Sequence, residues 1–213
     1  MKIKYFLPSI LGLVISLLGL IIYILISDEF VVIKCVQMLA VPIILLVLQG
    51  LNMTKKIHIP LILHYLLLVH LVMALVLGSG MGYYDKFAWW DMLLHGYFGF
   101  VCSAFVFIIL LNYDGERMKS ILFFVVIFFV TMGTAGLWEI YEFVMDRLLD
   151  GDVQRIQESI SQGHTPVYDT MMDMIITIVG IGCFYTAVGI DRLRKYSFIR
   201  DIYREIKVNP TLD

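Results

Sequence analysis

Charge is what this sequence has least of. Only 16% of its 213 residues are Asp, Glu, Lys or Arg, against 60% hydrophobic, and the mean hydropathy is +0.87. A soluble domain needs a polar surface that this composition cannot supply. Cysteine is scarce too: Cys35, Cys102 and Cys183 fall in or beside apolar stretches at no metal-ligand spacing. That excludes a disulfide framework and a zinc knuckle and leaves them as small packing residues. No Gly/Ser-rich, Pro-rich or low-complexity stretch offers a linker, and no internal repeat is present, so the length suits one compact bundle. Catalytic signatures are missing as well. Without a Walker loop, dinucleotide fingerprint, HExxH or nucleophile motif, serine and cysteine catalysis have no support.

What the chain does have is long apolar runs. A membrane span needs about 20 such residues to cross roughly 30 Å of hydrocarbon, and six stretches qualify: residues 5–27, 30–51, 57–77, 92–111, 121–143 and 170–190. The second is the weakest, with Lys34 and Gln37 in its first turns and Pro42 expected to kink it. The first follows Lys2 and Lys4 but is too long for a secretory signal and lacks an A-x-A-like cleavage site, so it reads as a retained anchor. The fold class is therefore all-α, a polytopic bundle of six transmembrane helices. Residues 1–190 form the transmembrane domain and residues 191–213 a basic tail.

Lys and Arg placement sets the orientation. With a cytoplasmic N-terminus, twelve basic residues fall inside, including Lys2, Lys4, Lys55, Lys56, Arg117, Lys119 and six in the tail. Four fall outside: Lys34, Lys86, Arg147 and Arg155. Both termini are then cytoplasmic, with the lipid bilayer as the protein's first partner.

This topology gathers three polar pairs at the outer face: Asp91 with His95, Glu139 with Glu142, and Asp169 with Asp173. Spacings of i,i+3 or i,i+4 put each pair on one side of its helix, and Asp146 extends the Glu142 stripe. Each pair alone has an ordinary reading, since Trp89, Trp90, Trp138, Tyr141 and Tyr168 flank them as an interfacial aromatic belt would. Together they ask for more. His95 and Asp173 lie about one turn inside their spans, and outer acids outnumber outer bases. Carboxylates crowded on neighbouring helices need a shared proton or a cation. Carboxylate oxygens with one imidazole suit Mn²⁺, Fe²⁺, Zn²⁺ or Mg²⁺, with no basis for choosing among them.

The remaining polar features are less informative. His70, in the third span, is placed to join the cluster, although hydrogen bonding to a neighbouring helix is the commoner role for it and for His64. His58 belongs at the inner interface and His164 in the last outer loop. That loop, residues 145–168, is the one long polar segment and reads either as a lid or as a solvated connector. The tail carries Arg192, Arg194, Lys195, Arg200, Arg204 and Lys207 with Tyr196, Ile199, Ile202, Tyr203 and Ile206 at near-helical spacing. This pattern describes an amphipathic helix on the anionic inner leaflet, with nucleic acid a remote partner.

At the segments Trp90-Asp91-Met-Leu-Leu-His95-Gly96, Trp138-Glu139-Ile-Tyr-Glu142 and Asp169-Thr170-Met-Met-Asp173, followed by Gly180 and Gly182, the sequence resembles the YjdF-like family of bacterial inner-membrane proteins. The resemblance implies a multi-pass membrane protein and brings no reaction with it. More distantly the chain is similar to VanZ-like proteins, a family associated with resistance to the glycopeptide teicoplanin. Asp91, His95, Glu139, Asp173 and Gly180 match that pattern, whereas Glu142 stands where Gln is usual and Thr177 where Asn is usual.

The reading that follows is an outward-facing site in which Asp91, His95, Glu139 and Asp173 hold a divalent metal and Glu142 or Asp169 acts as general base, with an envelope lipid or lipid-linked sugar as substrate or ligand. Two other classes stay open. The same acids could line a proton- or cation-coupled transporter, which at six spans would favour an oligomer, or they could be the structural cluster of a non-catalytic envelope protein.

Overall fold

The computed structural model describes residues 3–27, 30–54, 57–113, 118–149 and 151–208. Lys2, Lys55, Lys56, Arg117 and Asp150, and the side chain of Lys207, lie outside the described residues. All regular structure among them is helical. A 3₁₀ turn at Ile3–Tyr5 leads into α1 (Leu7–Ile26), followed by α2 (Val32–Met53) and α3 (Leu61–Leu71), which a π-helical segment (Val72–Gly80) continues. Then come α4 (Tyr83–Lys86), α5 (Trp90–Asn112), α6 (Ser120–Leu149), α7 (Ile156–Ser161), α8 (Tyr168–Leu193) and α9 (Ser197–Val208). Six of these, counting α3 with its continuation as one, are long and apolar enough to cross a membrane.

Two boundaries differ from the sequence expectation by four residues or more. The third span starts at Leu61 rather than near residue 57, because Pro60 stands extended at the N-cap, where a residue without an N–H is tolerated. Its preceding residues pair elsewhere: Ile59 N–H donates to Asn52 Oδ1 at 2.6 Å and His58 N–H to Asn112 Oδ1 at 2.8 Å. At the other end of the chain, α6 runs past residue 143 to Leu149, so the polar segment taken for a loop from residue 145 begins as helix. Polar residues end an apolar run without ending a helix. Pro42 is buried inside α2, which continues on both sides of it.

Two packed groups divide the bundle. In the first, Ser9, Gly12, Ser16 and Gly19 form a buried small-residue stripe on α1 that admits Met38, Val41 and Leu45 of α2 and Val76 of the π-helical segment. Gln37, which weakens the second span in sequence, hydrogen-bonds Ser79. The second group joins α3, α5, α6, α8 and α9 around Leu63, Phe107, Phe123, Ile127 and Phe184. There α5 and α6 run antiparallel, with Ser103 hydroxyl to Thr131 hydroxyl at 3.3 Å at mid-span. α5 and α8 run parallel and in the closest contact of the fold: a Cβ on Gly180 would lie 2.0 Å from Gly96 O, and one on Gly99 would lie 2.4 Å from Thr177 O.

Candidate functional site

The α5–α8 crossing sets up the polar cluster. Because the backbones touch at Gly96, Gly99, Thr177 and Gly180, the first turns of both helices converge, bringing His95 and Asp173 face to face. The antiparallel pairing of α5 with α6 delivers Glu139 from the other side. His95 is the hub: Nε2 is 3.7 Å from Asp91 Oδ1 and 3.8 Å from Asp173 Oδ2, and Nδ1 is 4.0 Å from Glu139 Oε1. All four residues are buried, Asp173 at 1% exposure.

These separations are too long for hydrogen bonds. Neither oxygen of Asp173 finds a hydrogen-bond partner, an expensive state for a buried carboxylate. One ligand atom each from Asp91, His95 and Asp173 lies within 4.8 Å of the others. A cation about 2.1 Å from each of two ligand atoms bridges separations of up to about 4.2 Å. The donor set therefore fits a hard or borderline divalent cation with little rearrangement.

The other expected site residues take different positions. Glu142 is buried beside the cluster, and Trp138 Nε1–H donates to its Oε1 at 2.8 Å. Asp169 is half-buried one turn before Asp173, with Oδ2 unpartnered. Asp146 does not extend the stripe. Its carboxylate accepts Val153 N–H at 2.6 Å and Gln154 N–H at 2.9 Å, so it ties the following loop to the end of α6. His70 makes no hydrogen bond at Nδ1 and instead stacks on Tyr97, with ring centroids 5.8 Å apart, whereas His64 at the opposite end contacts Asn52 Nδ2 at 3.3 Å and Pro60 O at 3.2 Å. His164 stacks on Tyr168 at 3.8 Å.

Two residues that sequence reasoning passed over complete the surroundings. Arg155, held in a left-handed conformation at φ 51°, pairs with Glu158 and donates from Nη2 to Tyr84 O at 3.2 Å. Burial works against its charge, but Glu158, Asp91 and Asp169 outweigh that and raise its pKa. Tyr84 is half-buried, and its phenol pKa is raised by burial and then by Asp91 and Glu142, which outweigh the opposing pull of Arg155. Only the scarcity of basic residues on this side hinted at Arg155. Nothing in the sequence marked Tyr84.

Comparison with known proteins places this arrangement in a family. An uncharacterized protein of Thermotoga maritima is 30% identical over 116 residues, which is 53% of this chain and 53% of that protein, so the match spans about half of the relative's length. No solved structure matches. The family model described as "Predicted membrane protein (DUF2238)" matches residues 8–194, a stretch that runs from within the first span through the end of the sixth and holds every residue of the cluster, and the chain belongs to that family.

Proposed function

We propose that this membrane protein binds a divalent cation through Asp91, His95 Nε2 and Asp173, with Glu139 facing the other ring nitrogen rather than joining the ligand set as the sequence suggested, and uses that centre to bind or act on an envelope lipid or lipid-linked substrate at the outer face of a bacterial inner membrane. The observation that carries the reading is Asp173: 1% exposed, hydrogen-bonded at neither oxygen, and 3.8 Å from His95 Nε2. A proton or a cation satisfies such a carboxylate, and the imidazole nitrogen and second carboxylate within reach favour the cation. Placement on the outer face rests on the Lys and Arg distribution, which puts both termini in the cytoplasm. The resemblance to YjdF-like proteins runs through the same residues.

A bound cation would supply Lewis acidity toward a phosphoryl oxygen or a water. The chain itself supplies the rest. Asp169, at the half-buried rim, and Glu142, fixed by Trp138, are the proton acceptors. Arg155 is the one cation coupled to Asp91 and Asp169 among the described residues, and it is the group on this side that would meet an anionic headgroup.

Elemental mass spectrometry of the detergent-purified protein tests the metal. About one divalent ion per chain is expected, lost in Asp91→Asn and Asp173→Asn and kept in Asp201→Asn, whose side chain is exposed at the opposite end. A wild-type protein that stays metal-free after cation add-back would sink the reading.

A further inference from the structure

At the end of the bundle opposite the carboxylate cluster lies a cavity of about 280 Å³. Ala104 and Phe107 of α5 floor it, Leu63 of α3 and Ala187 of α8 wall it, and Ile199 and Ile202 of α9 roof it. Among the described residues Asp191 is the sole polar one lining it, and it is already engaged: Oδ1 accepts Phe198 N–H and Oδ2 accepts Ile199 N–H, both at 3.0 Å, capping α9. Water entering this space would have no polar group to bond. Hydrocarbon is the occupant that suits it, and because Ala187 on the wall is exposed, the cavity opens toward the bilayer.

The surroundings of the cavity specify more than an acyl chain. Lys195 and Tyr196 adopt left-handed conformations, φ 57° and 55°, and this turn folds α9 back against the bundle. It leaves Arg192, Arg194, Lys195 and Arg200 exposed around the cavity roof. An apolar slot beside clustered cations complements a lipid with an anionic headgroup. We propose that this end of the protein is a specific site for an anionic glycerophospholipid, with one acyl chain in the cavity and the headgroup against Arg194, Lys195 and Arg200.

Native mass spectrometry of delipidated protein, titrated with dioleoyl phosphatidylglycerol or dioleoyl phosphatidylcholine, tests this. One phosphatidylglycerol is expected to bind at least about tenfold more tightly than phosphatidylcholine, given the favourable contribution of each basic residue near an anionic headgroup. The triple variant R194Q/K195Q/R200Q, whose changes are all at exposed positions, should bind both lipids equally. Ala104→Phe, which fills the cavity, should lose the bound lipid while keeping its basic surface; if it does not fold, Ala187→Leu at the opening replaces it. Equal binding of the two lipids by the wild type overturns the proposal. So does undiminished binding by the filled-cavity variant, which would mean adsorption to the basic surface alone.

Discussion

Trp138 shows how a single side chain at this site does two jobs. Its ring is half exposed at the aromatic rim, where an indole is at home, while its N–H reaches back one turn to the buried Glu142. Trp138→Phe keeps the ring and removes the donor, so we expect a loss of about 1 kcal/mol in detergent thermal unfolding. The loss should shrink when Glu142 is already alanine, because the two side chains form one interaction. At the same scale, Asp173 and Glu139 were legible in sequence as costly intramembrane acids. The lack of a hydrogen-bond partner at Asp173 was not, since that depends on which helices surround it.

Among the elements, the α5–α8 pair carries the geometry of the site. Gly180 meets Gly96 O so closely that any side chain there must push the helices apart. Gly180→Ala should therefore cost about 2 kcal/mol or more, with metal content falling in parallel because His95 and Asp173 separate. Gly182 is the control: nothing lies within 4 Å of its missing Cβ, so Gly182→Ala should leave both stability and metal content near wild type. Melting curves and elemental analysis of the two variants decide this. Both glycines were visible in the sequence, but only the packing distinguishes the contact glycine from the one that faces outward. The same limit applies to Asp146, whose spacing from Glu142 pointed toward the cluster while the loop amides took its carboxylate.

Taken whole, the molecule separates two polar ends by an apolar middle. The acids sit where α5 and α8 begin and α6 ends. At the far end, Asn52, His58, His64 and Asn112 make a hydrogen-bonded set around the start of α3. Between them the second packed group is built of Phe107, Phe123, Phe184 and their neighbours. This suits a centre confined to one face better than a path across the bilayer. Orientation is open to direct measurement: with Cys35, Cys102 and Cys183 replaced by serine, a cysteine at exposed Gln162 should react with a membrane-impermeant thiol reagent on intact cells. One at exposed Phe198 should react only after lysis. The reverse pattern would turn the site toward the cytoplasm.

Hydrophobicity is additive along a chain, so the sequence by itself determined the membrane class, the six spans, the amphipathic tail and the three polar pairs at helix ends. It also placed Asp91 beside His95 and Asp169 beside Asp173, because i,i+4 neighbours are fixed by helix geometry alone. Which pair meets which is a property of interhelical contact, and that depends on where two backbones can approach. Gly96, Gly99 and Gly180 decided it for α5 and α8, making His95 the hub and leaving Asp169 at the rim. The coupling of Arg155 to Asp91, the turn of His70 onto Tyr97 and the apolar cavity beneath α9 likewise arise only from the folded chain, since each joins residues far apart in sequence.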